Sequence, residues 1–81
     1  MRVHLKLFAS FREVIGEKDL VMDVKDGWTV GDVVTELLSR YPKLERLKET
    51  MIYSVNKEYA SLTKKLSDGD EVGILPPISG G

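Results

Sequence analysis

The stretch Asp68-Gly69-Asp70-Glu71-Val72-Gly73-Ile74-Leu75-Pro76-Pro77-Ile78-Ser79-Gly80-Gly81 decides how the chain reads. It opens as a turn, continues as a short apolar strand, stiffens at two prolines and runs out on two glycines. Val72 and Ile74 alternate with Glu71, Gly73 and Leu75, so the first pair is expected to face a core and the second set to face outward. Pro76 and Pro77 fix φ and lack backbone donors, which ends sheet pairing after Leu75 and directs the chain outward as a stiff rod. Gly80 and Gly81 carry no Cβ and fit a channel too narrow for other residues. The chain is therefore expected to divide into a folded platform over 1–75 and a projecting tail over 76–81. The functional group at the tail's tip is the carboxylate of Gly81. Termini are commonly frayed, yet fraying explains neither the proline pair nor the diglycine.

Working back from the tail, the platform reads as a small α+β domain. Val3, Leu5 and Leu7 alternate with His4, Lys6 and Phe8, the pattern of a half-buried strand. Phe8 is the exception, a large apolar side chain on the polar side. Ser10 is expected to cap a short helical turn over 11–15 that Gly16 ends. Leu20, Met22 and Val24 alternate again, and so short a link predicts an antiparallel partner for the first strand. Asp26-Gly27 turns the chain. Thr29 then reads as an N-cap, with Asp32 completing an imperfect capping box. Val30, Val33, Val34, Leu37, Leu38 and Tyr41 have helical spacing, and Pro42 stops that helix. Trp28, just before the cap, reads as a hydrophobic staple. Residues 43–50 are charged and read as a helical turn or a loop. Met51 to Val55 reads as a third strand, Asn56-Lys57-Glu58 as a turn, and Tyr59 to Leu62 has room for a short edge strand. Leu66 is expected to anchor the loop before the final strand. The order β-β-α-β-β, with the helix as crossover, predicts a mixed sheet covered on one face. The first and last strands then lie side by side and parallel.

Composition narrows the functions. The 81 residues make one domain, with 12 Lys and Arg against 13 Asp and Glu, a net charge of −1. That balance predicts neither a nucleic-acid footprint nor a polybasic membrane anchor. Cysteine is absent, which excludes a disulfide framework, a thiolate metal site and a cysteine nucleophile. One histidine, His4, makes no metal site alone, so none is expected. A Ser-His-Asp set has no nucleophile motif to rest on. Gly27 and Gly31 flank Trp28-Thr29-Val30 without a phosphate-cradle pattern. No apolar run is long enough to span a bilayer and the N-terminus lacks a signal-peptide pattern, so a cytoplasmic location is expected. What remains is the tail and one face. Phe8 and Leu75 are expected to form an apolar patch at the root of the tail, extended by Tyr59, and such a patch marks a docking surface.

Several stretches resemble the small subunit of molybdopterin synthase: Leu7-Phe8-Ala9 with Phe11-Arg12-Glu13, Val55-Asn56-Lys57-Glu58-Tyr59, Leu66-Ser67-Asp68-Gly69-Asp70-Glu71-Val72, and Pro76-Pro77-Ile78-Ser79-Gly80-Gly81. The similarity covers essentially the whole chain. It implies a β-grasp, ubiquitin-like fold and a sulfur carrier rather than an enzyme in its own right. By that resemblance, an E1-like adenylating enzyme uses ATP to activate the Gly81 carboxylate, and sulfur replaces AMP to give a thiocarboxylate. No cofactor is implied for this chain itself. The tail, with Pro76, Pro77, Ile78, Ser79 and Gly80, would then enter the large subunit of the synthase, where a cyclic pyranopterin monophosphate takes the sulfur. Phe8, Tyr59 and Leu75 match the family's contact patch. Gly73 stands where a bulkier strand residue is commoner. Two alternatives share the activation step: sulfur delivery to thiamine or a tRNA base, and attachment of Gly81 to lysines as a ubiquitin-like modifier.

Overall fold

A computed structural model describes residues 1–77. Its elements are β1 (Arg2–Leu7), α1 (Ala9–Ile15), β2 (Asp19–Asp23), α2 (Val30–Arg40), a 3₁₀ segment (Pro42–Thr50), β3 (Ile52–Val55), β4 (Glu58–Ala60) and β5 (Glu71–Leu75). The five strands form one sheet in the order β2-β1-β5-β3-β4. β1 and β5 run parallel, and the other neighbours are antiparallel. The expected order is present, and β4 is the short edge strand expected over 59–62. It starts at Glu58 rather than Tyr59, because Asn56 and Lys57 alone make the turn. Both have positive φ, 51° and 71°, which matches the twist of a two-residue hairpin loop.

The core lies between one face of the sheet and the helices. Val3, Leu5 and Leu7 of β1, Met22 of β2, Val55 of β3, and Val72 and Ile74 of β5 are buried against Phe11, Val30, Val33, Val34, Leu37 and Leu44. Each large side chain contributes roughly 1.5–3 kcal/mol by leaving water. Helix α2 starts where expected, and its capping box is complete. The Asp32 amide donates to Thr29 Oγ1 at 3.3 Å, and the Thr29 amide donates to Asp32 Oδ2 at 2.9 Å. Tyr41 is its C-cap, and the 3₁₀ segment that follows begins on Pro42 and buries Leu44. Trp28 is partly buried against the core.

Helix α1 differs from expectation. Its N-cap is Phe8, which makes no side-chain cap, and Ser10 lies inside the first turn. The chain turns at Ala9, whose φ is 51°. An L-residue with a Cβ holds that left-handed geometry at a cost of about 1–2 kcal/mol. The helix therefore begins one residue after the strand ends, which leaves Ser10 no capping position. Gly16 closes the helix as expected, at φ 87°, with its amide donating to the Arg12 carbonyl.

The N-terminus of α2 is held by a loop. The Val30 amide donates to the Lys64 carbonyl at 2.9 Å and the Gly31 amide to the Leu62 carbonyl at 2.8 Å. Leu66, buried as expected, returns its own amide to the Trp28 carbonyl at 2.9 Å. These contacts use donors that would otherwise suit an anion. Glycine at position 31 allows the approach, since a Cβ there would stand 3.1 Å from the Leu62 carbonyl oxygen. Gly31→Ala is therefore expected to lower stability by about 1 kcal/mol through the weakened loop contact, although alanine normally improves a helix. Thermal melting checks this, and a raised Tm would show that the loop yields freely.

Candidate functional site

The motif that opens the last strand is a clamp. Asp68 Oδ1 accepts the Arg2 amide at 2.7 Å. Gly69, at φ 85°, supplies the left-handed residue of the turn, and its amide donates to the Arg2 carbonyl at 2.7 Å. The Asp70 carbonyl accepts the His4 amide at 2.9 Å. The Asp70 carboxylate accepts from the Ser67 amide at 2.7 Å and from Asn56 Nδ2 at 3.0 Å. Asn56 closes the set: its Oδ1 accepts the Glu71 amide at 3.0 Å, and its own amide donates to the Glu71 carbonyl at 2.8 Å. Asp68, Gly69, Asp70 and Asn56 together tie the start of β5 to β1 on one side and to the β3–β4 turn on the other.

From that start the register is set. Leu5 pairs with Val72 and Leu7 with Ile74 across β1 and β5, while Leu75 pairs with Ile52 across β5 and β3. Phe8, extended at φ −123° and ψ 152°, continues β1 by one residue and comes level with Leu75. Phe8 is 44% exposed and Tyr59 72% exposed, both high for large apolar side chains, and Leu75 is half-buried. Cross-strand partners share a face, so Ile52 belongs with Leu75 on the side away from the helices. The open face thus carries Phe8, Leu75 and Ile52 in one row. Tyr59 lies one row down, opposite Ser54. The register puts Phe8 level with Leu75, whereas Tyr59 stands on the edge strand beyond β3.

Ile52 is the residue the sequence reading missed. Alternation over 51–55, with Met51, Tyr53 and Val55 inward, would have placed it outward. Gly73 sits in the middle of the open face, and the space its missing Cβ leaves is taken by Ser54 Oγ. Gly73 is therefore buried although it points away from the core. The other half of this face is charged. Lys6 Nζ is 2.6 Å from Asp19 and Arg2 Nε 3.0 Å from Asp23. The hydrogen bond with Asp19, and then its charge, raise the Lys6 ammonium above its ordinary value, and the Lys6 bond holds Asp19 low. His4 is exposed between these pairs.

The face ends where β5 ends. Pro76 is half-buried and Pro77 exposed, and neither is in a strand. Ile78, Ser79, Gly80 and Gly81 lie outside the described residues. A hollow of about 680 Å³ lies elsewhere, between the β3–β4 hairpin and the 61–67 loop, with Lys64 and Lys65 on its wall. Tyr59 also stands on its wall, whereas Phe8, Ile52 and Leu75 do not. Among the described residues, no group of three or more His, Asp or Glu side chains is placed to hold a metal, and no helix is long and apolar enough to cross a membrane.

Fold and face together define a ubiquitin-like β-grasp protein whose central strand hands the chain to a proline-led segment beside an apolar patch. Residues 5–81 match the ThiS family, and the chain belongs to that family. It is 35% identical over 83 residues to the molybdopterin synthase sulfur carrier subunit of Chlamydomonas reinhardtii, with both chains covered in full. It is 37% identical over 92 residues to small archaeal modifier protein 3 of Haloferax volcanii, again with both chains fully covered. Among solved structures, small archaeal modifier protein 1 of Haloferax volcanii superimposes with a TM-score of 0.89 at 32% identity, covering 100% of each chain.

The Gly73–Ser54 fit generates a test of the open face. Gly73→Ala displaces the Ser54 hydroxyl, while Ser54→Ala removes the obstacle and keeps the Ser54 Cβ at an ordinary 3.7 Å. The two substitutions are expected to couple favourably by about 0.5–1 kcal/mol in a denaturation cycle. Strict additivity would show that the two side chains do not compete for that space.

Proposed function

We propose that this chain is the sulfur-carrying small subunit of a molybdopterin synthase. The observation that carries the reading is the placement of Leu75. It is the last residue of a central strand, it lies beside Phe8 and Ile52 on the open face, and Pro76-Pro77 follow at once. A partner that covers the patch therefore receives the tail at a defined place. Family membership and the relatives named as sulfur carrier subunits support the same reading.

In this proposal the platform is 1–75 and the tail is 76–81. The Gly81 carboxylate, resonance-stabilised and a poor electrophile, attacks the α-phosphorus of ATP held by an E1-like adenylating enzyme. Pyrophosphate leaves and an acyl adenylate remains. A sulfur nucleophile supplied by that system adds to the acyl carbon and expels AMP, which leaves a thiocarboxylate on Gly81. The tail residues Pro76 to Gly80 enter the large subunit, with Phe8, Leu75 and Tyr59 docked on its surface. There the thiocarboxylate sulfur bonds to the cyclic pyranopterin monophosphate, and water cleaves the acyl–sulfur bond, which leaves the sulfur on the pterin and restores the carboxylate of Gly81. ATP is the activating enzyme's substrate, and the chemistry takes place in the cytoplasm.

A second reading is favoured by the similarity to small archaeal modifier proteins: the same activated Gly81 is joined to lysines of other proteins. Intact-mass analysis after incubation with the activating enzyme, ATP and a sulfur donor separates the outcomes. Exchange of one oxygen for one sulfur on Gly81, followed by consumption of that species with the large subunit and the pyranopterin, is expected. An unmodified Gly81 sinks both readings. A thiocarboxylate untouched by the pyranopterin points to another sulfur acceptor, and isopeptide adducts lost on deleting Gly81 point to the modifier.

The docking face makes its own prediction. Leu75→Asp puts a carboxylate into a patch that the partner desolvates, and an unpaired buried charge is strongly unfavourable. Binding to the large subunit is expected to weaken by about thirtyfold or more with the fold kept. Calorimetric titration measures this, and unchanged affinity would place the contact elsewhere.

A further inference from the structure

We infer that Ala9 is a positioning residue for partner docking, because its left-handed backbone fixes the direction in which Phe8 leaves the sheet. The inference rests on the proposed docking role of Phe8. Phe8 is held from both sides. On one side Leu7 is locked in the parallel ladder against Ile74 and is buried. On the other, Ala9 turns the chain at φ 51°, and three residues on from Phe8 the buried Phe11 donates its amide to the Phe8 carbonyl at 3.2 Å. Leu7 and Phe11 both point into the core. Phe8 must therefore face out, and the angle at which it does so is set by the one residue that reverses the chain.

Alanine does this differently from glycine. The left-handed basin open to a residue with a Cβ is small, whereas glycine ranges over most of the positive-φ half of the map. Ala9 accepts strain and in return admits only a narrow set of directions for Phe8. Asn56 and Lys57 also have positive φ, but they form a hairpin loop where such geometry is ordinary. Ala9 sits instead between a strand and a helix, next to an apolar side chain left 44% exposed. No side-chain cap holds this end of α1, so the backbone of Ala9 is what defines it.

The test separates position from stability. Ala9→Gly relieves strain but enlarges the unfolded ensemble, and these opposing effects leave Tm within about 3 °C of the starting protein. Its affinity for the large subunit of molybdopterin synthase from the same organism is nevertheless expected to fall about three- to tenfold, the cost of ordering one freed side chain on binding. A D-alanine at position 9, introduced by chemical synthesis, favours the same left-handed region without the strain. It is expected to restore full affinity and to raise Tm. Phe8→Ala is the reference, expected to weaken binding by about tenfold or more. If Phe8→Ala weakens binding and Ala9→Gly does not, the inference is overturned while the docking reading stands. If neither variant changes affinity, the docking reading itself has failed at Phe8 and the role of Ala9 goes with it. A loss in Ala9→Gly that D-alanine does not restore also overturns the inference.

Discussion

The parallel pairing of β1 with β5 is the constraint on which the rest of the molecule depends. Parallel neighbours cannot be joined by a tight turn, so the chain between them must cross over and return. Here that path supplies everything that covers the core. α2 lays Val30, Val33, Val34 and Leu37 over the paired Leu5, Leu7, Val72 and Ile74. β2 closes the far side of β1, and β3 with β4 closes the far side of β5. The last strand thus lies in the middle of the sheet, flanked on both edges. A chain leaving a middle strand must leave the sheet altogether, and Pro76 and Pro77, which lack the donors a ladder needs, suit that exit.

The two faces of the sheet then acquire different jobs. One is dry and holds the fold. The other is divided along its width. On β1 and β2 it shows opposite charges across the strands, Lys6 with Asp19 and Arg2 with Asp23. Pairs this exposed contribute little to stability. Their effect is to keep that half wet and unattractive to an apolar partner, and to flank Val21, which is 55% exposed in the same strand. On β5 the charge is confined to Glu71 at its start, and towards its end Leu75 and Ile52 take over, with Phe8 beside them. The apolar patch is small because a charged border limits it.

Most of this arrangement was legible because it follows from short periods. Alternation exposed the inward residues of β1, β2 and β5, and helical spacing with Thr29 and Asp32 marked α2 and its start. The antiparallel β1–β2 pair followed from connection length, and the parallel pairing of the first and last strands from the helix as crossover. What stayed hidden needed a third dimension. Alanine gives no sign in sequence that it will adopt positive φ, so Ser10, a good capping residue by type, was assigned a position that the turn at Ala9 had already used. β4, expected as a short edge strand over 59–62, is three residues long, too short for alternation to fix its bounds. Gly73 read as a position where a bulkier strand residue is commoner, and the β3–β5 register shows that Ser54 fills its space. Ile52 was readable from the period of β3 but carried no functional signal until Leu75 was seen opposite it.

The stretch that made the family resemblance specific, Asp68 to Val72, turns out to do no chemistry of its own. Its carboxylates, the Gly69 amide and the Asp70 carbonyl bond to backbone groups of Arg2, His4 and Ser67 and to the side chain of Asn56. The effect is to fix register. Strand side chains alternate with a period of two, so a slip of one residue moves every one of them to the opposite face. A slipped β5 would turn Ile74 outward and carry Leu75 into the core, and the chain would leave the sheet one residue out of step with Phe8. The clamp at one end of the strand therefore decides what the other end presents. A motif that reads as structural and a face that reads as functional are in this way a single requirement, transmitted along five residues of backbone.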